Sequence, residues 1–440
     1  MREISRLVAA IGLRVRWRGD LAGDSGHRGN QGPVAARDAV ESASAPSPDG
    51  VDRVTERLAV YTEREYCSDG VNRYGKEAFV LFLEALRQHI DGLVLVGRMD
   101  PRPGRSYYPL SQDTELVGLP HYKSFTHPWS VARSLVLSLV RLWRLLDRVQ
   151  TVWVLGPYPH ALACALLTAL RRRRLVLGVR QDTYVYIRSR RPDRRWMHVS
   201  ADLLEGIWKL LARRYAIVVV GSELERKYRS SRARSVLATP VSLVSGHDVA
   251  LGADAAAARD YSGELTLLTV GRLDAEKNPL LLADIMARLL AGERRWRLRV
   301  CGEGPMLPEL RARLAQLAVL DRVELLGYVP IDRGLLDLYR SSHAFLHVSW
   351  TEGFPQVLLE AFAAGLPTVA TAVGGMQLTA RDAALLVKPD DAAMAALALE
   401  RIASDGELRD RLIETGLERA REDTIEVVSE RVAAFLGSSP

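Results

Sequence analysis

Two hydrophobic rhythms alternate along the chain. Apolar runs of four to six residues recur, and most are followed by a longer stretch with apolar positions three and four apart. The runs read as buried strands and the longer stretches as helices packed by one face. In the first half this predicts strands at 57–61, 93–96, 152–155, 175–179 and 217–220. Helices are predicted there at 76–90, 130–149, 160–170 and 203–215. The second half predicts strands at 265–270, 297–300, 323–326, 344–347 and 368–373, with helices at 279–290, 307–318, 335–341 and 424–436. Such alternation implies parallel sheets with right-handed crossovers. Sheets of this kind bind ligands beyond the carboxyl ends of their strands.

The pattern divides the chain. Residues 1–52, rich in Gly, Ala, Ser, Asp and Arg, carry no sustained period and are expected to form a disordered N-terminal extension. Residues 53–246 read as one α/β domain, 247–262 as an Ala-, Gly- and Asp-rich linker, 263–423 as a second α/β domain and 424–440 as a last helix. A length of 440 residues suits two domains of ordinary size. Cys67, Cys164 and Cys301 are too scattered for a disulfide framework or a metal site, and fit a reducing cytoplasm. No apolar run approaches the ~20 residues that cross a bilayer.

Chemistry concentrates in 349–375, SWTEGFPQVLLEAFAAGLPTVATAVGG. Pro355 suits a first helical position, Gly365 the position past the helix end, and Pro367 forbids continuation. Glu352 sits in the loop, and Glu360 sits eight positions on in a helix apolar on nearly every side. A lone buried carboxylate is costly without partners, and no basic residue within one turn can pair with Glu360. A pair of sugar or ribose hydroxyls would satisfy it; so would a structural ion pair from elsewhere. The first-turn amides after Glu352, with their positive dipole end, suit an anion. A second stretch follows the strand at 265–270: Gly271-Arg272-Leu273-Asp274-Ala275-Glu276-Lys277. Its Arg and Lys, five apart, offer a planar fork and a point charge, the usual complements of a diphosphate.

Together, GRLxxEK and EGFPxxLLEAxAAGLPxVAT resemble the retaining GT-B glycosyltransferases, family 4 in particular, whose E-x7-E motif Glu352 and Glu360 match. The resemblance covers 264–436 well and the first half in outline. It implies two Rossmann-like domains facing a central cleft, and transfer of a sugar from a nucleotide donor, UDP- or GDP-linked, to an acceptor hydroxyl with retention. Arg272, Lys277 and Glu352 would be catalytic. Gly271, Gly302, Gly304, Tyr328, Gly353, Phe354, Pro355 and Glu360 would complete the donor site. Many members place a glycine pair in the first loop and a histidine after the fourth strand. Here Gly70 and Gly75 are separated, and His160 stands four residues beyond the matching Gly156. These three, with Arg180 and Asp182 at a strand end, are candidates for the acceptor side of the cleft, an internal ion pair being the alternative for the last two. No Asp-x-Asp pair suited to a metal appears, so no metal or other cofactor is expected. A sugar phosphorylase, a nucleotide-sugar epimerase or a non-catalytic partner subunit are the alternatives on the same fold.

Charge adds a location. Residues 1–250 hold 39 Lys and Arg against 25 Asp and Glu, and 251–440 hold 21 against 28, so a basic half precedes an acidic one. No nucleic-acid module accompanies the charge, and no nucleic-acid partner is expected. On a helical wheel of 130–149, Arg133, Arg141, Arg144 and Arg148 share an arc of about 80° opposite Val131, Leu135, Leu139, Leu142 and Leu146. Arg171–Arg174 follow, then Arg188, Arg190, Arg191, Arg194 and Arg195 beside Trp196. Such clusters suit an anionic membrane surface, or are merely solvated. The sequence thus points to a cytoplasmic enzyme, peripheral on the inner membrane face, with a glycan or lipid-linked acceptor.

Overall fold

The structure is a computed structural model and describes residues 54–121, 128–190 and 194–438. The expected extension at 1–52 lies outside the described residues, as does Arg191. The first sheet contains β1 (Val54–Ser68), β2 (Arg73–Gly75), β3 (Ile90–Met99), β4 (Tyr108–Pro109) and β5 (Glu115–Pro120). It continues through β6 (Thr151–Gly156), β7 (Arg174–Val179), β8 (Ala216–Val220) and β9 (Val236–Thr239). Parallel pairing runs β5-β3-β1-β6-β7-β8-β9, and the short β2 and β4 extend β1 antiparallel. β1 continues well past the expected 57–61. Its polar second half reads as a loop because the charges there are satisfied across the fold: Arg98 reaches Glu63 at 3.6 Å, Lys76 reaches Glu65 at 2.9 Å and Arg64 reaches Glu77 at 2.5 Å.

Around this sheet pack α1 (Phe79–Arg87), α2 (Pro128–Leu145), α3 (Pro159–Leu170), α4 (Thr183–Arg190), α5 (Arg195–Ala212) and α6 (Ser222–Ser230). The predicted helix at 203–215 is therefore the second half of α5, which starts eight residues earlier. The wheel of 130–149 holds in outline, with Arg133, Arg141, Arg144 and Arg148 exposed and Leu142 and Leu146 buried, but α2 is rotated so that serines also face inward. Its buried side carries Ser134, Ser138, Leu142 and Leu145, while Val136, Leu137, Val140 and Trp143 face outward. Ser134 Oγ donates to the Pro120 carbonyl at 2.7 Å, so the small serines let the helix lie close on β5.

α7 (Gly246–Ala257) occupies the expected linker. Ser245 and Asp248 cap it reciprocally, the capping box that stops a helix end from fraying. Its Ala and Gly content serves close packing: a Cβ on Gly252 would stand 1.9 Å from the Ala363 carbonyl oxygen. Small residues signalled a tight contact, not a flexible joint.

The second sheet runs parallel throughout in the order β12-β11-β10-β13-β14-β15. Its strands are β10 (Leu265–Val270), β11 (Trp296–Cys301), β12 (Val323–Gly327), β13 (Ala344–His347), β14 (Thr368–Thr371) and β15 (Ala384–Val387). The helices are α8 (Leu281–Leu290), α9 (Leu307–Gln316), α10 (Leu336–Arg340), α11 (Gln356–Ala363), α12 (Met376–Ala380), α13 (Ala392–Ser404), α14 (Gly406–Glu422) and α15 (Ile425–Ser438). α15 returns to the first domain and packs on α1, β1 and β9, with His89 Nε2 and Ser429 Oγ 3.1 Å apart. One apolar core joins Leu83 and Leu86 of α1 to Val428 and Val432 of α15 and to Phe345 and Phe362 of the second domain. Among the described residues no helix is long and apolar enough to cross a membrane.

Candidate functional site

The strand order explains why two distant motifs meet. The chain leaves β10, adds β11 and β12 on one side, then crosses to β13 on the other. Between β10 and β13 the sheet changes direction, and beyond their carboxyl ends opens the crevice where such sheets bind ligands. Gly271-Arg272 follows β10, and Ser349–Phe354 follows β13. Backbone bonds hold the two loops together: the Trp350 amide and the Ser349 hydroxyl donate to the Glu276 carbonyl at 2.9 and 3.0 Å.

Glycines underlie both loops. Gly374, at φ +48°, passes beneath the Glu352 loop so closely that a Cβ would lie 2.0 Å from the Glu352 carbonyl oxygen. Gly302 approaches Gly271 in the same way, with 1.8 Å to its carbonyl oxygen. Gly304 packs under the backbone of Leu273. Pro355 stands one position before α11, capping it rather than opening it.

Arg272, Lys277, Glu352, Gly353 and Phe354 line a cavity of about 260 Å³ with Arg180 and Asp182 of the first domain. Gly271, Arg272, Gly302, Tyr328 and Glu360 line a neighbouring one of about 440 Å³, closed on the first-domain side by Ala78 and Tyr108. Arg272 is common to both. Gly70, Gly75 and His160 line neither. Gly70 turns the β1–β2 hairpin at φ +97°, Gly75 leaves room for Val80, and His160 is buried on α3.

The acids in this site differ in state. Burial alone would raise the Glu352 carboxyl, but the His347 hydrogen bond at 2.7 Å and the Lys277 ammonium outweigh it and hold the pKa at about 2. Glu352 is therefore an anion shared between two donors. Burial pushes Glu360 up to about 7, offset in part by the Tyr339 hydroxyl, which donates to Oε2 at 2.9 Å. Its protein partner is thus a neutral phenol and not an ion pair, and a carboxylate there calls for further donors.

The cations are engaged as well. Arg272 pairs with Asp274 and, at 2.6 Å, with Glu276, and Lys277 pairs with Glu352. An incoming anion exchanges with these carboxylates; it does not meet two bare charges. Asp182 caps α4 through the Tyr184 amide at 3.0 Å and accepts from Lys227 at 2.8 Å, so the internal ion pair offered as its alternative is present at the cavity wall. Arg180 lies on the Phe79 ring with 3.9 Å to the centroid, and burial lowers its pKa to about 10.

Sequence reasoning missed His347 and Tyr339, the partners of the two glutamates. A histidine within the apolar run AFLH was the available signal for the first; Tyr339 gave none. It also missed the contact that joins the domains at the far end of the larger cavity. There the Tyr108 and Tyr328 hydroxyls are 2.6 Å apart, and Arg333 donates to the Tyr107 carbonyl at 3.0 Å.

Two parallel-sheet Rossmann-like domains with a cleft between them form the GT-B fold. Residues 254–419 match the family Glycosyl transferases group 1. The phosphatidylinositol N-acetylglucosaminyltransferase gpi3 subunit of Schizosaccharomyces pombe is 35% identical over 120 residues, 27% of this chain and 25% of that protein. The D-inositol 3-phosphate glycosyltransferase of Corynebacterium efficiens is 35% identical over 160 residues, 34% of this chain and 38% of that protein. The chain thus spans well under half the length of these relatives. Anabaena HepE, solved in complex with UDP and glucose, superposes with a TM-score of 0.61 at 15% identity, over 87% of this chain and 100% of that one.

Proposed function

We propose that the protein is a retaining, metal-independent glycosyltransferase of family 4. It moves a sugar from a UDP- or GDP-linked donor to an acceptor hydroxyl in a cell-envelope glycan, exopolysaccharide or glycolipid. One observation carries the reading: two adjoining cavities share Arg272, one holding the paired cations and Glu352, the other the half-neutralised Glu360. A diphosphate would lie where they meet, displacing Asp274, Glu276 and Glu352 from Arg272 and Lys277. As the glycosidic bond breaks, charge grows on the departing phosphate, and the two cations stabilise it most at that moment. The ribose hydroxyls would donate to Glu360, and the donor sugar would lie against Glu352 and the Gly353–Phe354 backbone. The two relatives reported above, both named as sugar transferases, and the UDP held by HepE support the same assignment. The acceptor would be met at the cytoplasmic face of the membrane.

A thermal-shift screen against UDP-, GDP- and ADP-sugars tests the donor, since a ligand at 100 times its Kd stabilises by about 2.7 kcal/mol. One nucleotide series is expected to raise Tm. With that donor, turnover is expected to survive EDTA, and NMR of the product is expected to show the donor's anomeric configuration. Loss of activity on chelation, or an inverted product, would reject this mechanism. Turnover with inorganic phosphate, or without any acceptor, would make the enzyme a phosphorylase or an epimerase instead.

A further inference from the structure

Burial on the outer face of the first domain runs against its hydrophobic pattern. α2, α3 and α5 lie on one face of the first sheet and share a core that includes Leu142, Cys164, Trp208 and Leu211. On its outward side α5 exposes Trp196, Val199 and Leu203 at 63%, 67% and 64%, with Leu210 beyond them. At ~100° per residue these four fall within an arc of about 60°. Arg194 and Arg195 stand at one end of the stripe, Arg213 and Arg214 at the other, and all four are exposed. The acids of α5 do not disturb it: Asp202 is held by Arg188 at 3.1 Å, and Glu205 is buried against Lys227 at 3.0 Å. α2 likewise exposes Val136, Val140 and Trp143, the last with the Arg171 guanidinium 4.2 Å over its ring.

This differs from a surface that is merely basic. Several arginines of the basic run are already neutralised: Arg148 binds Glu115, Arg171 binds Asp147 and Arg174 binds Glu56. What stays open is an apolar ridge with cationic ends. We propose that this face docks on an anionic lipid bilayer, with Trp196, Val199 and Leu203 entering the acyl boundary and the terminal arginines at headgroup level. A second copy of the chain fits the ridge poorly. Antiparallel pairing would set Arg194 and Arg195 against Arg213 and Arg214, and parallel pairing would set each pair against itself. α4 relates the face to the cleft: Val185 and Tyr186 in its first turns line the smaller cavity, and the helix packs along α5. That docking delivers a lipid-borne acceptor rests on the glycosyl-transfer reading. The docking itself does not.

The test is co-sedimentation of the full chain with vesicles, either of phosphatidylcholine alone or with equal phosphatidylglycerol, at low and high salt. The native chain is expected to partition onto the anionic vesicles. The triple variant Trp196→Ser/Val199→Ser/Leu203→Ser is expected to lose about tenfold or more of that binding. Arg195→Glu/Arg214→Glu is expected to lose the preference for anionic lipid and its salt dependence. These side chains are exposed and lie outside the donor site, so the thermal shift with the nucleotide sugar should persist in both variants. Native-like vesicle binding by the triple variant overturns the proposal, and so does equal binding of the native chain to neutral vesicles. An oligomer that the triple variant dissociates, with no vesicle binding by the native chain, makes the ridge a self-association face and also overturns it. Vesicle binding without any nucleotide-sugar shift would defeat the proposed activity and leave the docking intact.

Discussion

Arg272→Ala and Lys277→Ala should each lower kcat by about 10²–10³-fold, because each removes a donor aimed at charge that grows in the transition state. The two should differ in stability. Arg272 is half exposed and pairs with Asp274 and Glu276 at the surface, and such pairs contribute ~0–1 kcal/mol. Its removal should leave the melting temperature nearly unchanged. Glu352 is buried and Lys277 half-buried, and without the ammonium Glu352 keeps only His347. Loss of that charged partner should cost about 1–3 kcal/mol. The cost has a pH signature. Glu352 titrates at about 2 in the folded protein and near its ordinary 4.5 when unfolded. A depressed carboxylate contributes stability that is full above the unfolded value and lost as pH falls through the folded one. The Lys277→Ala deficit should therefore be complete above about pH 4.5 and shrink toward pH 2. Nucleotide release measures the first effect and urea melts across that range the second. Undiminished turnover in either variant would remove the mechanism.

The legible part of this site was local and the illegible part was not. Gly271–Lys277 and Glu352–Glu360 each carry their chemistry within one loop or turn, and Gly365 adopts φ +56° just past its helix, as a terminator must. Strands 265–270 and 344–347 stand where the apolar runs ended them. Partners brought by the fold were invisible. Tyr339 reaches Glu360 from another helix 21 residues away, and Tyr108 meets Tyr328 across 220. Polarity misled in both directions. The charged second half of β1 is strand because its ions are paired across the sheet, and the linker-like α7 is helix because its glycine admits a neighbour's backbone. On α5 an apolar spacing that ordinarily marks the buried face instead marks the exposed one, which only the packing of Trp208 and Leu211 reveals.

Glu360→Gln should stabilise the ligand-free protein above pH 7 while weakening its hold on the donor. Burial holds the Glu360 carboxyl at about 7, against an ordinary 4.5 in the unfolded chain. Between those values the folded protein keeps a proton that the unfolded chain has released. Stability then falls as pH rises from 4.5 and levels off above about 7. The shift corresponds to roughly 3 kcal/mol, an upper figure because water entering the open cavity screens the charge. Glutamine stays neutral throughout and can still accept the Tyr339 hydroxyl, so the variant should not show this decline. Its Tm should match that of the native chain near pH 4.5 and exceed it at pH 8. Donor binding should move the other way. Ribose hydroxyls donate best to the ionised carboxylate, and replacing a charge-assisted acceptor costs ~1.5–3 kcal/mol. In the native enzyme the donor should also bind more tightly as pH rises through 7, because it draws Glu360 into the charged form, and the variant should not share that rise. Calorimetric scans of both proteins at pH 5 and pH 8, with and without the nucleotide sugar, separate the two effects. A variant that is less stable than the native chain at pH 8, or that binds the donor equally well, would mean that Glu360 serves the fold and not the ribose.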